Sequence, residues 1–447
     1  MTQPTDSSNT SRRTFLKTSG SIAAAAAVMP TAYAGENNTI RLALIGCGGR
    51  GSGAASNAMS APGGPVELYA MADVNSGKLN MSHKALTRRY KDKVNVSDDR
   101  RFLGFDAYKK AIDCLRPGDV ALLTAYSYCR AQHMDYAIDK GVNVFMEKPF
   151  VPDPGSGHRM LAAGKRADAK GLKVGAGLMC RHSVARQSLI QKIRDGELGE
   201  IMHVRAYRMW GGGGLRKRPD NENELMWQIR NRMHFHWAGS GAMIEMLIHQ
   251  IDECCWIKGM WPVSCHGLGG RVPNSTDHGQ GIDTYAMEFT FPDGTLATVD
   301  SRSMRGSYND FTTYLHGTKH AAQFSGHVHR PTTRIFKDQR LDPKQIIWSA
   351  GKEPYGPHQA EWNVLMDSIR NNKPHNETQR AVYADFAAIM GRAACHINNI
   401  VTWDQVFNSK FLFCDYVDTL AADSPAPVKA DKDGRYAAPI PGQWKEL

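Results

Sequence analysis

The stretch TIRLALIGCGGRG, residues 39–51, decides the fold. Its first half is a short apolar run of buried-strand type, and Gly46-x-Gly48-x-x-Gly51 follows at once, leading into the small-residue segment GSGAASNAM. Strand, glycines and helix start, in that order, form the context in which a glycine triplet reads as a dinucleotide fingerprint. Gly46 permits the tight turn, Gly48 lets backbone approach a pyrophosphate, and Gly51 lets the helix pack closely on the strand. Gly49 and Arg50 open that helix, whose free N–H groups and dipole favour an anion. A second apolar run, VELYAMAD (residues 66–73), ends in Asp73, 22 positions after Gly51. A carboxylate there suits the two ribose hydroxyls of NAD and repels the extra phosphate of NADP.

The alternation continues outward. RFLGFDAYKKAI (101–112) reads as a helix, DVALLTA (119–125) as a buried strand, CRAQHMDYAIDKG (129–141) as a helix and VNVFMEKPF (142–150) as a strand. This spacing implies an α/β unit, a doubly wound parallel sheet of Rossmann type. Beyond Phe150, strands dominate from about residue 201 to 336, including the alternating hairpin TYAMEFTFPDGTLATVD (284–300), whose Pro292-Asp293-Gly294 supplies the turn. A C-terminal α+β domain with an open, mainly antiparallel sheet is expected. The boundaries read as a leader over 1–34, a nucleotide-binding domain over 35–152 and a second domain over 153–447.

The leader reads Ser11-Arg12-Arg13-Thr14-Phe15-Leu16-Lys17, then an apolar run over 22–29, then Ala32-Tyr33-Ala34. That is the order of a twin-arginine export signal, and a periplasmic or extracellular location is expected. No stretch reaches the roughly 18 apolar residues of a spanning helix, so no membrane association is expected after cleavage. The net charge of +11 falls to +9 without the leader. The basic clusters LTRRYKDK (86–93) and LRKRPD (215–220) hold one aromatic residue, Tyr90, between them, which speaks against nucleic acid. Arg216, Lys217 and Arg218 are either solvated surface or contacts for an anionic sugar. The nine cysteines show no metal spacing and no disulfide framework. His234-x-His236 and His327-x-His329 lack a carboxylate at ligand spacing, so no metal is expected.

At MEKPF the sequence becomes familiar. Gly46-x-Gly48-x-x-Gly51, His133, Glu147-Lys148-Pro149, GELGEIMHVRAY (196–207), YLHGTKHAAQF (314–324) and the segment beginning GPHQAEW (356–362) together resemble the glucose-fructose oxidoreductase, inositol dehydrogenase and rhizopine-catabolism (Gfo/Idh/MocA) family, from about residue 40 to 403. The resemblance implies that Lys148 lies between nicotinamide and substrate hydroxyl, with Glu147 and Lys148 beside the cofactor. It also implies a helix from the second domain bearing an acid and, four positions on, a histidine; GSGAMIEMLIHQID supplies Glu245, His249 and Asp252. An i,i+4 pair shares a helical face, which suits a carboxylate beside a general acid/base. Glu245 departs from the family's usual Asp, which puts the substrate in doubt more than the reaction. Asp252 either orients His249 or stands behind it.

Substrate contacts are expected from Arg181, His182, Trp237, Asp252 and Tyr285. The segment over residues 211–237, with four consecutive glycines and two tryptophans, reads either as a disordered loop or as a mobile substrate loop. The proline-rich C-terminal segment from Tyr416 is expected along the surface or on a neighbouring subunit, and a homo-oligomer through the second sheet is implied by the resemblance. Twin-arginine export carries folded proteins, and no pool of NAD exists outside the cytoplasm. The expectation is therefore tightly held NAD in a sugar-directed oxidoreductase. The alternatives are an NAD-dependent glycosidase like those of family 109, working by oxidation, elimination, addition and reduction, and an exported sugar-binding protein without turnover.

Overall fold

The computed structural model describes residues 38–272, 279–327 and 332–447; the stretch read as an export signal, and His329, lie outside these residues. Six parallel strands form the first sheet: β1 (Ile40–Ile45), β2 (Val66–Asp73), β3 (Arg101–Leu103), β4 (Val120–Leu123), β5 (Asn143–Met146) and β6 (Val174–Ala176), in the order β3-β2-β1-β4-β5-β6. The residues of β4 and β5 are all buried, and those of β1 nearly all, which is the pattern of strands covered on both faces by helices. Flanking helices are α1 (Gly49–Met59), α2 (Ser76–Arg89), α3 (Ala107–Asp113), α4 (Arg130–Asp139) and α5 (Pro154–Ala169). Strand order reverses between β1 and β4, which opens a crevice at their C-terminal ends.

Nine strands form the second sheet: β7 (Ile201–Trp210), β8 (Ser264–Gly270), β9 (Thr284–Thr290), β10 (Leu296–Ser303), β11 (Asp310–Gly317), β12 (Ala321–Ser325), β13 (Arg334–Phe336), β14 (Ile346–Ser349) and β15 (Val401–Thr402). Long, alternating β7 lies at its centre, parallel to β10 and antiparallel to β11; the other pairings are antiparallel. One face is covered by helices. The helices in this half are α6 (Val184–Arg194), α7 (Glu224–Arg230), α8 (His236–Gly239), α9 (Gly241–Lys258), α10 (Pro357–Arg370), α11 (Thr378–Ile397) and α12 (Trp403–Asn408), of which α9 packs on β7 and α11 on β8 and β9.

Four elements differ from the sequence reading. Arg101–Leu103 is a strand rather than the start of a helix, because it extends the sheet beside β2. Strand β6, beyond the expected boundary at 152, completes the first sheet, and α10 returns to it from far along the chain, with Trp362 stacked on Phe145 at 4.3 Å and Gln359 bonded to Asn57 at 3.0–3.1 Å. Residues 211–237 contain α7, and Trp227 and Trp237 are buried. The C-terminal segment folds onto its own chain: Tyr436 stacks on Trp227 at 5.8 Å, and Glu446 is buried.

Glu446 pairs with Arg392 at 3.0 Å and with His396 at 3.1 Å. Burial alone would raise its pKa, but the Arg392 and His396 charges outweigh that and hold the carboxyl well below its ordinary range. A depressed carboxyl contributes stability that is complete above its unfolded pKa of about 4.3 and is lost as pH falls through the lower folded value. Glu446→Ala is expected to destabilise the fold by about 3–5 kcal/mol at pH 7, because it strands a buried guanidinium. Denaturant unfolding of the variant should also show less loss between pH 5 and pH 3 than the wild type; equal acid sensitivity would count against this pair.

Candidate functional site

The site assembles at the β1/β4 crevice. Thr124 closes the turn after β4 by donating its N–H to the Ile45 carbonyl at 2.8 Å and its hydroxyl to Gly46 at 2.5 Å. Gly46 has φ +98°, and a Cβ there would lie 2.2 Å from the Ala125 nitrogen; at Gly51 it would lie 2.1 Å from the Gly46 oxygen. These two glycines are demanded by packing within the protein. At Gly48 and Gly49, by contrast, a Cβ would meet nothing within 4 Å. Gly48 is the N-cap of α1, so the free amides of that helix face an open cradle of the kind a pyrophosphate takes.

Two adjoining hollows share Gly48, Lys78 and Thr124 to Tyr126 and so form one cleft. In the first, Asp73 accepts from the Cys47 amide at 2.6 Å and the Asn75 amide at 2.8 Å. Burial raises its pKa, against the pull of those N–H bonds. Tyr128 and His133 line the same hollow, and residues of α7 and its approach, Glu222, Met226, Ile229 and Arg230, wall it in.

The second hollow brings together Lys148, Glu245 and His249 with Gly48, Gly49, Arg50, Gly51 and Glu147. Lys148 leaves the end of β5, whereas Glu245 and His249 come from α9. Lys148 Nζ lies 3.6 Å from Glu245 Oε1 and donates to the Glu245 carbonyl oxygen. Arg232 donates to the same carboxylate at 3.0 Å and rests over the Tyr126 ring at 4.3 Å. Burial would raise the Glu245 pKa, but Lys148 and Arg232 together lower it. Arg50 reaches from α1 to Glu147 at 3.1 Å. The start of α9 is fixed against the Lys148 segment: Ser240 donates to the Val151 carbonyl at 3.1 Å, and Asp385 accepts from the Phe150 and Val151 amides, each at 2.7 Å.

The expected substrate contacts are not brought to this cleft. Trp237 is buried against Tyr128 and donates to Gln228 at 2.7 Å, because α8 turns it into the apolar cluster under the C-terminal segment. Tyr285 faces the inner side of the second sheet and bonds His396 at 3.0 Å. Arg181 and Asp252 form a bidentate pair at 2.7–3.1 Å, so Asp252 orients Arg181 rather than His249. His182 pairs with Glu377 at 3.2 Å. Each already has a partner within the protein. Arg216 and Lys217 are exposed outside both hollows.

The cleft holds residues that the sequence reading passed over: Tyr126, Arg208, Arg232 and His358. Tyr126 directly follows the recognised strand end, which was its signal; His358 sits in the quoted GPHQAEW segment. Among the described residues, one group has metal-ligand spacing: Glu147, His358 and Glu361, with ligand atoms within 4.8 Å. Arg50 already balances Glu147, and His358 bonds Glu361 at 3.3 Å; burial, with Glu147 nearby, raises the Glu361 pKa.

Residues 187–323 match the GFO/IDH/MocA C-terminal domain. No curated protein sequence matches the chain. Among solved structures, the chain is similar to the aldose-aldose oxidoreductase of Caulobacter crescentus in complex with glycerol (TM-score 0.64, 16% identity, 81% of this chain and 99% of that one). It is also similar to the scyllo-inositol dehydrogenase of Lactobacillus casei with NAD(H) and scyllo-inositol (0.59, 20%, 82% and 99%). A third is the UDP-N-acetylglucosamine 3-dehydrogenase of Acidithiobacillus ferrooxidans (0.57, 16%, 80% and 97%). At these identities the likeness is one of fold, and it covers both sheets.

The two kinds of glycine separate in experiment. Gly51→Ala is expected to destabilise the fold by about 1–3 kcal/mol or more, through overpacking against the turn. Gly48→Ala should stay within about 0.5 kcal/mol of wild type while weakening nucleotide binding at least about tenfold, since its methyl enters the cradle. Chemical unfolding and a nucleotide titration on both variants decide it; unaltered nucleotide binding in Gly48→Ala would refute the cradle.

Proposed function

We propose that this chain is an NAD-dependent oxidoreductase that moves hydride to and from a sugar or sugar derivative, with NAD held tightly through the cycle. The observation that carries the reading is that Lys148, just past β5 of the first sheet, and His249, on α9, line one cleft with the Gly48 cradle. When bound, the nicotinamide supplies the hydride acceptor. In this reading His249 takes the hydroxyl proton, while the Lys148 ammonium stabilises the developing alkoxide. Glu245 holds Lys148 and Arg232 in place. Gly48 and the α1 amides take the pyrophosphate and Asp73 the ribose, which favours NAD over NADP.

Retention is supported by α7, which walls the Asp73 hollow and is tied down by the C-terminal segment: Gln228 donates to the Val428 carbonyl at 2.6 Å, Asn223 to that of Ala422 at 3.0 Å, and Tyr436 to Glu224 at 2.8 Å. A covered nucleotide suits a cycle that returns its hydride before exchange. Such a cycle is sugar-to-sugar transfer or, as a second reading, the glycosidase route. Export of the folded protein belongs to the same proposal, as does self-association through the open face of the second sheet, where Met202 and Leu268 stand exposed.

Protein purified without added coenzyme is expected to release NAD(H) on denaturation; a fully active, cofactor-free preparation would refute retention. Replacing Asp73 with Ser should narrow the preference for NAD, as read by competition with NADP. Lys148→Met and His249→Ala should each lower turnover by about a hundredfold or more on a sugar that the wild type converts, with nucleotide still bound. Near-normal turnover in both would leave a binding protein as the better reading, and mass analysis of the products separates oxidation from glycoside cleavage.

A further inference from the structure

Three guanidiniums with little or no exposure pair with carboxylates: Arg186 with Glu253 at 2.9 Å, Arg392 with Glu446 at 3.0 Å, and Arg181 with Asp252. In the cleft, Arg50 has Glu147 and Arg232 has Glu245. Among the described residues, Arg130, also in the cleft wall, has no carboxylate but donates to the Leu123 and Ala125 carbonyls; Arg208 has neither a carboxylate nor a carbonyl acceptor. It stands near the end of β7, lines the Lys148–His249 hollow and is only 7% exposed, yet no carboxylate among the described residues pairs with it. Its guanidinium stacks on Phe311 at 3.3 Å, and its polar contact is a weak one, Nη2 to the Met246 sulfur at 3.9 Å. Nε and Nη1 are buried with no hydrogen bond. Its in-register neighbour on β10, Ser301, also carries a buried hydroxyl with no partner.

A ring face recovers less than the burial of an unpaired cation costs, and here desolvation alone lowers the Arg208 pKa to about 9. A site built this way is completed by an anion from outside, and a planar guanidinium is shaped for the oxygens of a carboxylate or phosphate. We propose that the substrate carries such an anionic group and that Arg208 binds it, so that the cleft selects acidic sugars over neutral polyols. This rests on reading the cleft as the site of a sugar oxidoreductase, and it moves anion recognition from the Arg216–Arg218 cluster into the cleft wall.

The test uses the purified protein with its nucleotide, and glucose, glucuronate and glucose 6-phosphate as matched probes, in wild type, Arg208→Met and Arg208→Lys. Calorimetric titration should show at least one acidic probe binding wild type tenfold or more tightly than glucose, and the carboxylate and phosphate arms identify which anion fits. Arg208→Met should erase that advantage, so that the acidic probes bind no more tightly than glucose does to the same variant, while Arg208→Lys keeps part of it. Thermal unfolding gives a readout independent of sugar chemistry: Arg208→Met should melt at or above the wild-type temperature, because it removes an unpaired buried charge. Equal binding of neutral and acidic probes, or a variant that melts several degrees lower, overturns the anion site and leaves the oxidoreductase reading intact. Anion-dependent binding through Arg208 in a protein that oxidises no sugar keeps the site and removes that reading.

Discussion

The arrangement depends on one buried guanidinium. Arg392, on α11, is fully enclosed and spends every arm: Nε on Glu446, Nη1 on the Ser240 carbonyl at 2.9 Å, and Nη2 on the Pro152 carbonyl at 3.0 Å. Four parts of the chain meet there: the central helix of the second half, the first residue before α9, the strand exit just past Lys148, and the C-terminus. A buried charge is tolerable only when its donors are matched, and this one is. The consequence is positional. Lys148 and Glu245 belong to elements about a hundred residues apart, and their contact requires that the start of α9 be fixed against the exit of β5. A misplacement of about 1 Å at such a site costs on the order of a hundredfold in rate.

The electrostatics of the cleft follow from what its carboxylates are already doing. Glu147 answers Arg50, and Glu245 answers Lys148 and Arg232. Neither is left over to act as a base, which is why the proposed reaction gives proton transfer to His249, and the acid on the shared helical face pairs with cations instead. The longer glutamate arm fits that duty, since it reaches two basic groups from different directions. What remains is a surplus of positive charge along a cleft whose cradle is itself built of amide donors.

The parts of the fold that were legible in the sequence were those encoded by near neighbours. β1 and its glycine turn show themselves because an apolar run and the steric need for Gly46 and Gly51 fall within a dozen residues. The β9–β10 hairpin shows itself because strict alternation flanks a Pro-Asp-Gly turn, where Gly294 takes φ +80°. Glu245 and His249 could be placed on one face because the helical period is local. The segment 211–237 and the C-terminal segment were opaque for the opposite reason. Each looks polar and glycine- or proline-rich alone, and the burial of Trp227 and Phe235 exists only once Tyr436, some two hundred residues away, lies against them.

Substrate contacts were harder still, because residue type does not reveal pairing state. Arg181, His182 and Tyr285 have the chemistry of sugar-binding groups, and each is consumed by a partner that the sequence hides: Asp252, Glu377 and His396. Arg208 has the same chemistry as Arg181, sits on an alternating strand that reads as plain sheet, and faces Met246 and Phe311 instead of a carboxylate. Two arginines of one chemistry thus differ in what they can offer a ligand. The difference lies in whether the fold supplies a counter-charge, which is fixed by contacts between α9, β7 and β11 and by no local pattern. Among the described residues, Arg130, at the same cleft wall, also lacks a carboxylate but spends two arms on backbone carbonyls; Arg208 has neither, and that difference is what the proposal of an external anion rests on.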